Sequence, residues 1–163
     1  MKNFIFFLLV LFSSQISGQN TYSGDHYKLT IPTGFVVSYK EGMDVYAANS
    51  SNSYIGLVVA NLNNNPTPSD FNSQVPNEML VSGLSQTLPN VQITSRGTGT
   101  NSRGLSYAYY VVNAGHNSNK LKMVCYSFFR NYKMYTLLTA AGDNFYPSTR
   151  PDFQIALNSF RFE

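Results

Sequence analysis

The chain has 163 residues, of which 43% are hydrophobic and 12% are charged, with 11 basic and 8 acidic side chains. This length suits one domain with a sizeable core, and the composition excludes a chain that is disordered along its whole length. The small positive excess, with no run of Lys or Arg, argues against nucleic acid and anionic membranes as partners.

The first 18 residues have the layout of a secretory signal peptide. Lys2 precedes an unbroken apolar run over residues 4–12, and small or polar side chains follow up to Gly18. This run is too short to span a bilayer, which needs about 20 residues. We therefore expect an exported protein, periplasmic or secreted. Its mature part, residues 19–163, is predicted to be a single domain with no transmembrane segment.

Alternation of apolar and polar residues predicts four strands in the first part of the mature chain. Clusters of Pro, Gly and Asn separate these strands, as expected of antiparallel neighbours joined by short turns. A polar leader is predicted before them. The leader is residues 20–25, and the strands are residues 27–31, 35–39, 44–48 and 54–62.

A helix is predicted to follow the loop at residues 63–68. Ser69 is the expected N-cap, and Asp70 lies in the first turn, where the helix dipole favours an anion. Pro76 breaks or delays the helix, so residues 77–88 are its main part. The apolar stripe that the helix would bury consists of Phe71, Val75, Met79, Leu80, Leu84 and Leu88.

Residues 121–141, rich in β-branched and aromatic side chains, predict a hairpin at the centre of a sheet. Its strands are residues 121–129 and 133–140, joined by a tight turn at residues 130–132. Apolar side chains occupy both alternating sets of the first strand, so both of its faces must be covered. Two more strands are predicted before it, at residues 91–98 and 105–113.

A last helix is predicted over residues 149–160, with Thr149 and Asp152 at the spacing of a capping box. The order of elements is then strands, one helix, four strands and a terminal helix. Consecutive strands with short turns favour antiparallel pairing. This order indicates the α+β class, with a central antiparallel sheet flanked by helices.

Short motifs spread over nearly all of the mature chain carry a family resemblance. They are residues 27–35 (YKLTIPTGF), the helix end at residues 88–90 (LPN), the small-residue turn before Tyr107, the closing strand at residues 135–139 (YTLLT) and the helix with residues 157–160 (LNSF). With the order of elements, they resemble the PsbP-like/Mog-like domain, the fold shared by PsbP of photosystem II and bacterial DcrB-type envelope proteins. The chain departs from PsbP-type domains at Phe35, where they usually have Trp. The resemblance implies an α-β-α sandwich and a non-enzymatic accessory or binding role.

The sequence contains no recognisable catalytic or metal-binding motif. His26 and His116 are far apart and the acidic residues are scattered, so no metal site is predicted. Cys125 is interpreted as a core residue rather than a nucleophile, because it lies in mid-strand among apolar residues. Residues 96–100 (RGTGT) resemble a phosphate loop only faintly. A strand and not a helix follows them, so they are interpreted as a turn. We therefore predict neither a cofactor nor an enzyme.

Four basic residues are the candidate partner-binding residues, because they are predicted at the ends of adjacent strands, where a modest basic patch suits an acidic partner. The alternative is that they are ordinary solvated strand ends, which also discourage edge-to-edge pairing of sheets. They are Arg96, Arg103, Lys120 and Lys122.

The leading functional hypothesis is an exported, non-catalytic binding or accessory protein of the cell envelope that docks another envelope or secreted protein. The alternative is a small-molecule or lipid carrier with an aromatic pocket between sheet and helix. Its candidate lining residues are also explained as core and half-buried strand positions. These residues are Tyr107, Tyr109, Tyr110, Tyr126, Tyr132 and Tyr135.

Overall fold

Residues 19–116 and 119–163 are described by a computed structural model, in which they form ten strands and three helices. The predicted signal peptide, residues 1–18, lies outside the described residues. The strands are β1 (Asn20–Gly24), β2 (Tyr27–Ile31), β3 (Val36–Ser38), β4 (Val45–Ala48), β5 (Tyr54–Asn61), β6 (Gln92–Thr100), β7 (Ser106–His116), β8 (Asn119–Arg130), β9 (Lys133–Gly142) and β10 (Arg161–Phe162). The helices are α1 (Pro68–Gln74), α2 (Asn77–Leu84) and α3 (Tyr146–Ser159).

Seven strands form one antiparallel sheet in the order β3-β4-β5-β9-β8-β7-β6. The hairpin of β8 and β9 lies at its centre, as predicted. Asn131 and Tyr132 form the hairpin turn, with positive φ angles of 51° and 58°. A two-residue turn with two positive φ angles matches the twist of the strands that it joins. The predicted α+β class with a central antiparallel sheet is confirmed.

Side chains of β8 alternate between the two faces of this sheet and enter two different cores. Val124, Tyr126 and Phe128 belong to a core that also contains side chains of β2 and α3. Met123 and Cys125 belong to a second core, on the opposite face, against α1 and α2. Both faces of the central hairpin are therefore covered, which explains why neither set of side chains is polar.

The helical segment after β5 differs from the prediction at both ends. Thr67, and not Ser69, is the N-cap. Its Oγ1 accepts a hydrogen bond from the Asp70 N–H at 3.1 Å, and the Asp70 carboxylate accepts one from the Thr67 N–H at 2.9 Å. Pro76 divides the segment into α1 and α2, because proline lacks an N–H and its ring clashes with the preceding turn. Helix α2 ends at Leu84 and not at residue 88.

Helix α3 begins at Tyr146 and not at Thr149. The predicted capping box at Thr149 is wrong, because this residue is buried within the helix. Its hydroxyl donates to the Phe145 carbonyl at 3.0 Å and lies 3.3 Å from the Ser53 hydroxyl. A threonine in this position ties α3 to the loop before β5 instead of starting the helix.

A second sheet, in the order β1-β2-β10, joins the first and last strands of the described chain. The predicted polar leader forms β1, which sequence patterning missed because this edge strand has little apolar alternation. Strand β2 packs on α3, where the Thr30 N–H donates to the Ser159 hydroxyl at 2.8 Å. The Tyr27 and Phe160 rings stack with their centres 6.0 Å apart. The layers are therefore the small sheet with α3, the seven-stranded sheet, and α1 with α2.

Candidate binding groove

Helix α3 and the small sheet leave part of the seven-stranded sheet uncovered, and a groove of about 480 Å³ lies there. Its floor is the α3-facing side of β7 and β8, and its wall is the N-terminal part of α3. We call it the tyrosine groove. The lining residues are Tyr107, Tyr109, Val111, Lys122, Val124, Tyr126, Tyr146, Pro147, Arg150 and Gln154.

Strand alternation places the floor residues on one face of the sheet. Tyr109 of β7 is paired with Tyr126 of β8, and Val111 with Val124. The ring of Tyr107 lies edge-on to that of Tyr126, with their centres 5.3 Å apart. Aromatic pairs favour this edge-on arrangement, so the two rings support one another on the floor.

Helical spacing places the wall residues on one stripe of α3. Tyr146, Arg150 and Gln154 follow one another at intervals of four residues, which brings their side chains to the same side of a helix. Tyr146 is buried, whereas Arg150 is exposed. The wall therefore offers a ring near the sheet and a charged group nearer to solvent.

Two glycines of β6 lie beside the tyrosines of β7 that line the groove. Gly97 is paired with Tyr109, and Gly99 with Tyr107. A Cβ atom on Gly99 would lie 2.6 Å from the Tyr107 hydroxyl, and one on Gly97 would lie 3.0 Å from the Tyr109 ring. The prediction of a turn at residues 96–100 is therefore wrong. These residues continue β6, and the missing side chains let the two rings lie over its backbone.

Lys122 and Arg150 bring positive charge to the tyrosine groove. The Lys122 Nζ lies 5.0 Å from the centre of the Tyr146 ring, which is a cation–π distance. Among the described residues, neither cation forms a salt bridge. No Asp or Glu belongs to the groove lining. Within residues 19–116 and 119–163, therefore, no carboxylate lies at salt-bridge distance from either cation.

The buried phenol groups of the groove stay protonated. Burial raises the pKa of Tyr126 well above its usual range, and the charge of Arg150 only partly offsets this rise. Burial also raises the pKa of Tyr146, against the lowering effects of a hydrogen bond with Thr139 and of Arg150. The pKa of Tyr107 is raised by burial as well. These hydroxyls are therefore neutral groups that can donate hydrogen bonds to a ligand.

Arg96, one of the predicted partner-binding residues, lies on the opposite face of the sheet. Its guanidinium donates to the Val75 carbonyl at 2.8 Å. It also donates to the side-chain oxygens of Asn77 at 3.0 Å and of Asn72 at 3.2 Å. Arg96 therefore holds the corner between α1 and α2 against β6.

The other three predicted partner-binding residues line three different hollows. Arg103 is exposed in the turn after β6, in a hollow beside the C-terminal part of α3. Lys120, near the start of β8, lines a separate polar pocket that also includes Asp143. Of the four predicted residues, Lys122 alone lines the tyrosine groove. Arg96 is on the other face of the sheet and Arg103 is in the β6–β7 turn, whereas Lys120 and Lys122 lie two residues apart on the same side of β8 but line different pockets. The four therefore do not form one basic patch, and partner binding by them stays a prediction.

Half of the tyrosines predicted for an aromatic pocket line the tyrosine groove. These are Tyr107, Tyr109 and Tyr126. The others lie on the opposite face, in the β8–β9 turn and in the closed core, and are Tyr110, Tyr132 and Tyr135. The α3 residues were not predicted, because the sequence pattern does not establish which stripe of the last helix borders the groove. The signal available was the four-residue spacing of Tyr146, Arg150 and Gln154.

The described part of the chain offers few groups for metal binding or covalent chemistry. Within it, no three His, Cys, Asp or Glu side chains lie close enough together to hold a metal ion. Burial raises the pKa of the Cys125 thiol to about 12, although a hydrogen bond with Tyr110 lowers it. A thiol with this pKa is a poor nucleophile at neutral pH.

No helix in residues 19–116 and 119–163 combines the length and apolarity needed to cross a membrane.

Comparison with known proteins identifies the fold. No family model and no curated protein matches the chain. Among solved structures, PsbP (CyanoP) of Synechocystis sp. PCC 6803 matches at 14% identity and a TM-score of 0.69, covering 93% of this chain and 96% of that one. LpqN of Mycobacterium tuberculosis, involved in cell envelope biogenesis, matches at 12% identity and a TM-score of 0.63, covering 88% and 89%. The Ran-binding protein Mog1p of Saccharomyces cerevisiae matches at 9% identity and a TM-score of 0.54, covering 89% and 96%. The chain therefore has the PsbP-like/Mog-like fold that its motifs resemble.

Proposed function

We propose that the chain is an exported, non-catalytic accessory protein of the cell envelope that docks a protein partner through the tyrosine groove. The observation that carries this proposal is the groove itself. It combines partly exposed tyrosine rings with two cations for which the described residues provide no salt bridge.

The residue types and geometry of the tyrosine groove suit a protein partner. Tyrosine and arginine are enriched among the residues that contribute most to binding at protein interfaces. The Tyr107 ring contacts both Tyr126, at 5.3 Å, and Tyr109, at 6.5 Å. Rings that are already held in place lose little conformational entropy when a partner covers them.

The accessory and non-catalytic parts of the proposal have separate support. The signal-peptide pattern at residues 1–18 and the likeness to LpqN, which is involved in cell envelope biogenesis, favour an envelope role. The groove lining contains no His, Cys, Asp, Glu, Ser or Thr. These are the side chains that most often act as nucleophile or general base, so binding is the function that the lining favours.

Site-specific photo-crosslinking in the native cell envelope tests the docking function. A photo-reactive amino acid is placed at Gln154, in the groove wall, and, as a control, at Glu78, which is exposed on the opposite side of the sheet. We expect a stoichiometric protein adduct at residue 154 that is absent at residue 78 and is lost when Tyr109→Ala is added. Equal adducts at both positions, or no adduct at residue 154, would contradict docking in the groove.

A carrier of small molecules or lipids is the second candidate function. The observation that favours it is the groove volume of about 480 Å³, because small-molecule sites have volumes of roughly 300–1,000 Å³. Native mass spectrometry of the protein purified from its own cells distinguishes the two. A bound molecule of constant mass that is lost with Tyr109→Ala would favour the carrier.

A further inference from the structure

Two cations line the tyrosine groove, Lys122 on its floor and Arg150 on its wall. Lys122, near the start of β8, lies over the ring of Tyr146, the first residue of α3. Arg150 lies one helical turn further along, and its charge acts on the hydroxyls of both Tyr146 and Tyr126. The two cations therefore border the same aromatic surface.

Other half-buried lysines of the described chain have carboxylate partners, and Lys122 does not. Lys28 forms a salt bridge with Glu163, and Lys133 forms one with Asp25 at 3.3 Å. Asp143, the acidic residue between β9 and α3, lines the separate polar pocket. A ligand carboxylate would therefore be the first anionic group to face Lys122 in the groove.

The length of the tyrosine groove matches a short stretch of extended chain. From Lys122 to Tyr126 the floor spans four residues of strand, or about 13 Å. From Tyr146 to Gln154 the wall spans eight residues of helix, or about 12 Å. This distance accommodates about four residues of an extended peptide. The rings of Tyr107 and Tyr109 lie beside Tyr126 on the floor and offer an apolar surface.

From charge, length and aromatic surface together, we propose that the tyrosine groove binds a short, extended, acidic segment of a partner protein. An Asp or Glu carboxylate of the segment lies between Lys122 and Arg150, and a neighbouring aromatic or aliphatic side chain packs on Tyr107 and Tyr109. This inference rests on the proposed docking function and specifies the chemistry of its partner.

Peptide binding followed by tryptophan fluorescence tests the inference. The chain has no Trp, so a peptide with one Trp reports its own binding. The probes are an end-blocked Glu-Glu-Thr-Trp peptide and its Gln-Gln-Thr-Trp counterpart. We expect the glutamate peptide to bind about tenfold more tightly, because hydrogen bonds to charged groups are stronger than neutral ones.

Matched variants show whether the groove cations cause this preference. Lys122→Met and Arg150→Met are each expected to weaken binding of the glutamate peptide about five- to tenfold and to leave the glutamine peptide unaffected. Arg103→Met removes the same charge outside the groove and is expected to change binding of neither peptide. Lys120→Met, two residues from Lys122 on β8, is expected to weaken the glutamate peptide by less than about twofold. Higher salt should reduce the preference.

Several results would overturn the inference. They are equal binding of the two peptides, an equal loss with Lys120→Met, or anionic lipid vesicles bound with the same dependence on Lys122 and Arg150. The proposed function fails separately. If the partner crosslinks at residue 154 but no acidic peptide binds, only the acidic segment is wrong. If no partner crosslinks there, docking is wrong whatever the peptides do.

Discussion

The two faces of the seven-stranded sheet use basic residues in opposite ways. On the face covered by α1 and α2, the guanidinium of Arg96 is surrounded by carbonyl and amide oxygens of the helix corner. On the α3 face, Lys122 and Arg150 border an open groove without a carboxylate. Arg96 thus stabilises the fold, because the helix corner supplies its hydrogen-bond acceptors. Lys122 and Arg150 instead face the groove.

The closed and open parts of the α3 face should differ most in stability. Phe160 is fully buried and its ring stacks on Phe128 at 4.4 Å. Phe160→Ala is expected to lower the free energy of unfolding by about 3–5 kcal/mol, since it leaves a cavity in a packed core. Tyr109→Ala, in the open groove, should cost only about 1 kcal/mol. Urea unfolding measures both, and equal losses would mean that the groove residues are core residues.

The same substitution on the two faces sharpens the comparison. Arg96→Met is expected to lower the free energy of unfolding by about 2 kcal/mol, because it leaves the acceptors of Val75 and Asn77 without their donor. Arg150→Met should change stability by less than about 0.5 kcal/mol, as expected of an exposed residue without a salt bridge. Denaturant titrations of the two variants side by side check this. A larger loss of stability with Arg150→Met than with Arg96→Met would mean that Arg150, and not Arg96, stabilises the fold.

The buried Cys125 thiol, on the face covered by α1 and α2, should cause a loss of stability at alkaline pH. Burial raises the pKa of Cys125 from 9.0 to about 12 in the folded protein. As the pH rises, the unfolded chain therefore releases this proton first. The contribution of Cys125 to the free energy of unfolding is full below about pH 9 and decreases above it. We expect a loss of about 1 kcal/mol between pH 9 and pH 10 from this group. Cys125→Ala should show a shallower dependence over that range when unfolding is measured at both pH values, and identical slopes would rule this out.

A small effect is expected beside the tyrosine groove, at Gly99. Gly99→Ala places a methyl group against the end of the Tyr107 ring, which can move toward the open groove. We expect a cost below about 1 kcal/mol together with changed chemical shifts of the Tyr107 ring. Gly83→Ala, where nothing lies within 4 Å of the added Cβ, is the control. Unchanged Tyr107 shifts would show that the glycine does not shape the groove.

Elements whose pattern is local were predictable from the sequence. The β8–β9 hairpin was predicted because apolar side chains occupy both faces of its first strand. The start of α3 was not, because Thr149 and Asp152 have the spacing of a capping box while burial against Ser53 places Thr149 inside the helix. The glycines at 97 and 99 likewise suggested a turn. These positions have no side chain because the rings of Tyr109 and Tyr107, on the neighbouring strand, lie over them.

The candidate site was predictable only where its residues follow a local pattern. Lys122 and three tyrosines of the groove follow from alternation along β7 and β8. Arg150 does not, because its place beside them depends on how α3 crosses the sheet. The separation of Arg96 from Lys122 depends on which face of the sheet each side chain occupies. Three-dimensional packing decides both.

The pairing of the first and last strands has a consequence for the timing of folding. Thr30 and Ser159, which share a hydrogen bond, are 129 residues apart, and β2 needs β10 to complete its sheet. Contacts of this range form slowly, because the intervening loop must close before they contribute. During synthesis the aromatic core around Phe160 therefore cannot close until the last residues have emerged. Until residues 146–162 are present, β2 has no partner strand on one side and the core around Phe160 lacks the side chains of α3.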